Sequence, residues 1–241
     1  MLCLCALLFA VLGSQHLLGV TAIPYTPYNA PRFTLVAANN RDVSLLDGLG
    51  VTTFQNRLFL ISTNETPSTY CPGPPVIAQC PQVPKTVFKV NTDHTMDLDV
   101  LVPGGQRVFV TRYGIAQHTP HHSPTTIEAN AYLSSFTYVP PPLYAGVNEY
   151  GQFKFSVPGN NTLSPFYACP RIKPDLGGVQ LFSLVVNVPG RSFGIPTDIP
   201  PGFITSWTTC WPVELKAKPY NGPVGAYEHT FYPGTEGMDW P

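Results

Sequence analysis

The chain has 241 residues, a formal net charge of −1 and only 11% charged side chains. Near-neutrality removes the electrostatic case for a nucleic-acid or anionic-membrane partner. With 28 prolines and 20 glycines, the composition argues against a helical bundle and for many turns, and the length suits one all-β domain.

Met1 to Ala22, MLCLCALLFAVLGSQHLLGVTA, carries an apolar run from Leu2 to Leu12 and the small residues Val20 and Ala22 at its end. This is the pattern of a secretory signal cleaved after Ala22, because the run is too short to span a bilayer. Residues 1–22 are therefore expected to be a signal peptide, 23–215 an all-β domain and 216–241 a turn-rich C-terminal tail. No second long apolar segment follows, so no membrane span is expected.

Ile23–Pro31 is an extended lead-in carrying Tyr25 and Tyr28. Strands are predicted at Arg32–Ala38, Val43–Leu46, Arg57–Ser62 and Thr86–Val90. Between the last two lies a loop with Cys71, Cys80 and six prolines, in which no regular strand is expected. Met96–Thr111 then reads as a hairpin or a tight β-corner around Val102-Pro103-Gly104-Gly105, since proline presets φ and glycine accepts the positive φ of a tight turn. Gln106, Val108 and Val110 share one face of its second strand; Arg107, Phe109 and Thr111 share the other. A polar connection follows, with His118, His121 and His122. Further strands are predicted at Ser135–Val139, Gln152–Val157, Phe166–Cys169 and Val179–Val188, the last being the longest apolar run and so central. Phe203–Leu215 holds Trp207, Cys210 and Trp211.

About ten to twelve short strands at this spacing indicate a closed barrel or a two-sheet sandwich. RLFLIS, QRVFVT and QFKFSV recur at intervals of about 45 to 50 residues, each followed by a loop and a proline, which favours a β-trefoil-like barrel. In that arrangement FTLVA would close the barrel beside LFSLVV.

Cys3 and Cys5 leave with the signal. The remaining Cys71, Cys80, Cys169 and Cys210 imply two disulfides in an exported protein. Of the three possible connectivities, Cys71–Cys80 with Cys169–Cys210 is preferred. The first closes a short proline-rich loop and the second ties down a late segment. Asn64-Glu65-Thr66 and Asn160-Asn161-Thr162 are N-glycosylation sequons among turn formers.

Groups able to do chemistry are sparse. Asp97 and Asp99 share a strand face opposite Leu98 and Val100, a face that is ordinarily solvated. With Asp93 they form the densest acidic group, but the spacing lacks the glycine and terminal glutamate of a calcium-binding EF-hand. A hydrolase would draw on Asp97, Asp99 or Glu128 as paired acids. His118, His121 and His122 carry the imidazoles that suit zinc or copper, but adjacent histidines rarely face one ion, and the stretch reads as a polar loop. Ser123 lacks the strand-turn-helix context of a nucleophile elbow. Tyr25, Tyr28, Trp207 and Trp211 are the aromatics whose setting suits stacking on sugar rings. No catalytic, cofactor-binding or metal-ligating residue is assigned.

Several short motifs, taken in order, resemble the PhiA-type cell wall proteins of filamentous fungi, also described as phialide-development or IgE-binding proteins. They are Thr69-Tyr70-Cys71-Pro72, Cys80-Pro81, Leu98-x-Val100 leading into Val102-Pro103-Gly104-Gly105-Gln106, and Val108-x-Val110. His122-Ser123, Phe136-Thr137-Tyr138, Phe166-x-Ala168-Cys169-Pro170 and Leu181-Phe182 follow. The match runs from about Phe33 to Val188; the region after Gly190 and the tail from Lys216 depart from the pattern. The resemblance implies a secreted, extracellular, wall-associated fungal protein linked to asexual spore formation, with wall polysaccharide or wall proteins as partners and no catalytic residues. Two other classes stay open from the residues alone: a wall-glycan hydrolase, and an effector or allergen-like protein.

Overall fold

Several strands, among them Met96–Leu98, Gly151–Phe155 and Trp211–Pro219, alternate apolar and polar side chains, and their apolar sets meet in one main interior. The computed structural model describes residues 30–38, 44–54, 56–61, 69–70, 85–101, 105–120, 127–142, 149–159, 163–172, 180–188, 204–205, 210–224 and 227–228. The signal segment, the Cys71–Cys80 pair, both sequons, Tyr25, Tyr28, Trp207, His121, His122 and Ser123 lie outside these residues, as does the Val102-Pro103-Gly104 turn.

The strands are β1 (Arg32–Ala38), β2 (Gly50–Phe54), β3 (Arg57–Ile61), β4 (Thr69–Tyr70), β5 (Phe88–Val90), β6 (Met96–Leu98), β7 (Gln106–Val110) and β8 (Ala116–His118). After them come β9 (Phe136–Val139), β10 (Gly151–Phe155), β11 (Phe166–Ile172), β12 (Gln180–Val186), β13 (Ile204–Thr205), β14 (Trp211–Pro219) and β15 (Tyr227–Glu228). The only helical element among the described residues is a 3-10 turn at Ser44–Leu46, where a strand is expected from sequence.

Following hydrogen-bonded neighbours from β3 through β8, β7, β6, β5, β1, β14, β11 and β12 leads back to β3. Nine antiparallel strands thus close a barrel, which leaves no open edge along the ring. The sheet forks at two strands. β3 pairs along one edge with β2 and shares the other between β8 at Arg57 and β12 at Phe59 and Leu60. β1 pairs along one edge with β14 and shares the other between β5 and β2. β10 and β9 extend the sheet from β14, and β13 adds to β11. A separate two-residue ladder joins β15 to β4, so the late chain returns to the segment just before Cys71.

The barrel expected from strand density is present, and the hairpin around residues 102–105 is confirmed by the β6–β7 register. Gln106, Val108 and Val110 all point into the core. The threefold pattern does not become a symmetry, however. RLFLIS and QRVFVT are ring strands β3 and β7, whereas QFKFSV is β10, which lies off the ring. Nor does FTLVA close the barrel beside LFSLVV: β1 is flanked by β14, β5 and β2, and β12 by β11 and β3.

The strand that changes the closure is β14, which also runs through the expected boundary between Leu215 and Lys216. Val213, Leu215 and Ala217 are buried while Glu214 and Lys218 face out. Its register with β1 extends to Phe33↔Pro219, so the all-β domain continues past residue 215.

The core joins Phe33, Leu35 and Ala37 from β1 to Leu58 and Leu60, Val108 and Val110, Leu184 and Val186, and Leu215 and Ala217. An aromatic stack runs through it. Phe33 lies 4.5 Å from Tyr138 and 5.9 Å from Phe153 between centroids, and Phe153 lies 5.8 Å from Phe166. Such contacts add to the burial term because ring edges and faces carry opposite partial charge. β12 is buried on both faces: Leu184 and Val186 join the interior, while Leu181 packs with Phe59 and Ile61 on the other side. Among the described residues, no helix is long and apolar enough to cross a membrane.

Candidate functional site

Four neighbouring strands of the barrel wall carry a row of charged residues. Alternation that turns Met96 and Leu98 inward turns Asp97 outward. The registers then place Arg32 opposite Lys89, Lys89 opposite Asp97, and Asp97 opposite Arg107. Cross-strand neighbours of opposite charge stabilise such a row. Arg107 Nε donates to Asp97 Oδ1 at 3.1 Å, and Asn91 Nδ2 donates to Asp97 Oδ2 at 2.7 Å. Arg32 Nε donates to Asp99 Oδ2 at 2.5 Å, and Lys89 Nζ lies 3.9 Å from Asp99 Oδ1. The Arg32 guanidinium also sits 5.2 Å from the centroid of the Tyr220 ring. Asp93 caps the β5–β6 turn, where its Oδ1 accepts from the Thr95 hydroxyl at 2.7 Å and the Thr95 amide at 3.1 Å. These hydrogen bonds hold its carboxyl below the ordinary aspartate value.

The face carrying Asp97 and Asp99 is less solvated than the strand pattern suggests. Their side chains are only 18% and 10% exposed, each beside the cation it pairs with. Each carboxylate is held by its own cation, which ties up the oxygens that a proton transfer or a cation site would use. Glu128 is engaged elsewhere, accepting the Arg112 amide at 2.8 Å beside the β7–β8 turn. The three acids that a hydrolase would draw on therefore serve three separate local contacts. Among the described residues, no group of three or more His, Cys, Asp or Glu side chains is arranged to hold a metal ion.

This charge row sets a modest stability expectation. Asp99→Asn should cost about 1 kcal/mol, the scale of a partly exposed ion pair, and Asp97→Asn about the same. Chemical denaturation of the single and double variants measures both. Losses above about 3 kcal/mol would mark these as buried charges left uncompensated.

His118 does not lie in a polar loop. It ends β8 and points into the barrel beside Gln106, at 1% exposure. The alternation of Ala116 and His118 opposite Val110 and Val108 explains this placement.

Trp211 opens β14 and packs edge-on against Phe182, with centroids 6.1 Å apart, so its ring is partly buried against the core. The exposed aromatic rings among the described residues are Tyr113 and Tyr150, 41% and 43% accessible. Neither stands out in sequence, since both follow polar residues in turns. Arg112 covers one face of Tyr113, with its guanidinium carbon 4.6 Å from the ring centroid. Tyr150 stands at the start of β10 near exposed Val139.

The Cys169–Cys210 disulfide is present, with the two Cα atoms 4.2 Å apart. It joins β11 to the residue before β14, next to the Ala168↔Trp211 rung.

No family model matches the chain, and no solved structure matches it. An "Uncharacterized secreted protein" of the fungus Arthroderma benhamiae is 32% identical over 173 residues, spanning 70% of this chain and 78% of that one. This chain belongs to the same family as that secreted fungal protein. Membership in a secreted fungal family accords with the oxidised Cys169–Cys210 pair, since disulfides persist in oxidising compartments, and with the leader-like stretch read at Met1–Ala22.

Proposed function

We propose that this member of the secreted fungal family is a non-catalytic, glycosylated cell wall protein of the PhiA type. It acts in conidium and phialide development by holding to wall polysaccharide or to other wall proteins. The observation that carries this reading is the fate of the acids. Asp97 and Asp99 are neutralised by Arg107, Arg32 and Lys89 in a row on the outer barrel wall, whereas glycoside hydrolysis needs two carboxyl groups facing each other across a sugar. The low charge and the exposed ring of Tyr150 suit contact with a neutral glycan better than with a charged partner.

The test is sedimentation of the purified, oxidised protein with insoluble chitin and with insoluble β-glucan. Retention on at least one of them is expected, weakened several-fold in Tyr150→Ala, because one stacked ring contributes about 1 kcal/mol. Recovery of all the protein in the supernatant with both polymers would refute polysaccharide association. Release of reducing sugar from either polymer would move the reading to the hydrolase class.

A further inference from the structure

The thinnest seam in the ring of strands lies between β3 and β8, below the two register pairs of β3–β12 and of β1–β5. β11 and β12 share seven register pairs and β1 and β14 share six, but β3 and β8 share only Arg57↔Gln117. Three further backbone contacts support that seam. The His118 amide donates to Asn56 O at 2.9 Å, the Val186 amide donates to Gly114 O at 2.7 Å, and Ile115 bridges to Val185. His118 therefore follows directly on the single rung that joins β8 to β3.

The setting of its ring is unusual. His118 Nδ1 lies 2.9 Å from Thr119 O and Gln106 Nε2 lies 3.2 Å from the same oxygen. A carbonyl accepts only, so Nδ1 carries the hydrogen and Nε2 is left with a lone pair. That Nε2 is buried and has no hydrogen-bond partner. β7 presents Gln106 and Val108 toward the ring, β3 presents Leu58, and β12 presents Leu184 and Val186. None of these titrates. The charged residues of the same strands, Arg57 and Arg107, lie on the alternate face, where Arg57 is itself buried. Among the described residues, a proton on Nε2 would find neither an acceptor nor a counter-charge there.

We infer that His118 is an acid-sensitive latch on the β3–β8 seam, which holds β8 in the wall while its ring is neutral and frees β8 from β3 and β12 when the ring is protonated. The direction follows from burial, which pushes the imidazole down to about 4 from an ordinary value of 6.5. A released β8 would titrate near the ordinary value. The opened state thus binds the proton more readily than the closed one, and opening becomes easier as pH falls through the window between about 6.5 and 4. Below that window both states are protonated and the effect levels off.

The test is amide hydrogen exchange on the oxidised full-length protein between pH 7 and pH 4, corrected for intrinsic exchange, beside an NMR titration of the histidine rings. Opening at the His118 and Val186 amides, which bond across the seam to Asn56 O and Gly114 O, should rise on the order of 100-fold across this range, while amides of the β1–β14 ladder change far less. His118→Asn keeps a donor near the Nδ1 position but cannot take the proton, so the difference should disappear in that variant. If His118→Asn fails to fold, the contrast between the two regions of the wild-type protein decides alone. A His118 ring titrating near 6.5, or equal loss of protection in β8 and in the β1–β14 ladder, would overturn the latch.

Discussion

Replacing Gly114 with alanine should lower the melting temperature by about 10 °C, the consequence of losing about 3 to 4 kcal/mol in a chain of this size. Gly114 sits in the β7–β8 turn with φ +88°, a conformation in which an added Cβ is strained. That strain alone costs about 1 to 2 kcal/mol. The second cost is steric. A Cβ at this position would come within 2.2 Å of the Val186 carbonyl oxygen, a backbone atom of β12 that cannot swing away as a side-chain tip would. β12 is held on its other edge by seven register pairs with β11, so the turn must move instead. Doing so breaks the bond from the Val186 amide to Gly114 O, worth about 1 kcal/mol and more if both groups stay buried. Gly48→Ala is the matched control: φ is +80° there, and an added Cβ meets nothing within 4 Å. It should show only the conformational cost. Equal melting temperatures for the two variants would refute the close approach of the β7–β8 turn to β12.

Removing the Cys169–Cys210 bridge should cost about 3 to 4 kcal/mol. The two cysteines are 41 residues apart in sequence, and cross-linking a loop of that length removes about this much chain entropy from the unfolded state. In the folded state the pair adds little further constraint, because the Ala168↔Trp211 rung already aligns the two segments. The Cys169→Ala/Cys210→Ala double variant should therefore keep its fold and unfold at lower denaturant. Unfolding measured by fluorescence in urea supplies the value. A loss under about 1 kcal/mol would mean that the unfolded chain is compact enough to hold these ends together without the bond.

Both variants act on how distant segments meet, and that is where sequence reading reached its limit. Strands with short-range alternation were legible. Arg32–Ala38 appears with the expected bounds, and Arg57–Ile61, Phe136–Val139 and the Val179–Val188 core strand fall within about two residues of theirs. The hairpin flanking residues 102–105 was legible for the same reason, because proline and glycine act locally. β14 was harder: Lys216 and Lys218 look like the start of a polar tail until β1 is seen to pair with them. β8 was hidden more deeply. Ala116 and His118 are not an apolar pattern, and only their registers with Val110 and Val108 turn them inward.

The candidate site divides in the same way. That Asp97 and Asp99 share an outward face follows from a two-residue period. That Arg32, 67 residues away from Asp99 in the chain, arrives to neutralise it depends on β1 lying beside β5. Trp211 shows the converse. A tryptophan next to a cysteine in a proline-rich stretch reads as exposed, yet the approach of Phe182 from β12 leaves its ring partly buried against the core.

What the residues determined unaided was local: strand-rich structure, a secreted chain and the pairing of Cys169 with Cys210. Alternation, turn chemistry and composition act over a few residues, so they can be read in one dimension. Which strands close the ring, which acids find cations, and which histidine is sealed inside were decided by packing between segments far apart in the chain. Those contacts depend on the shared burial of many side chains, and no single stretch of the chain encodes them.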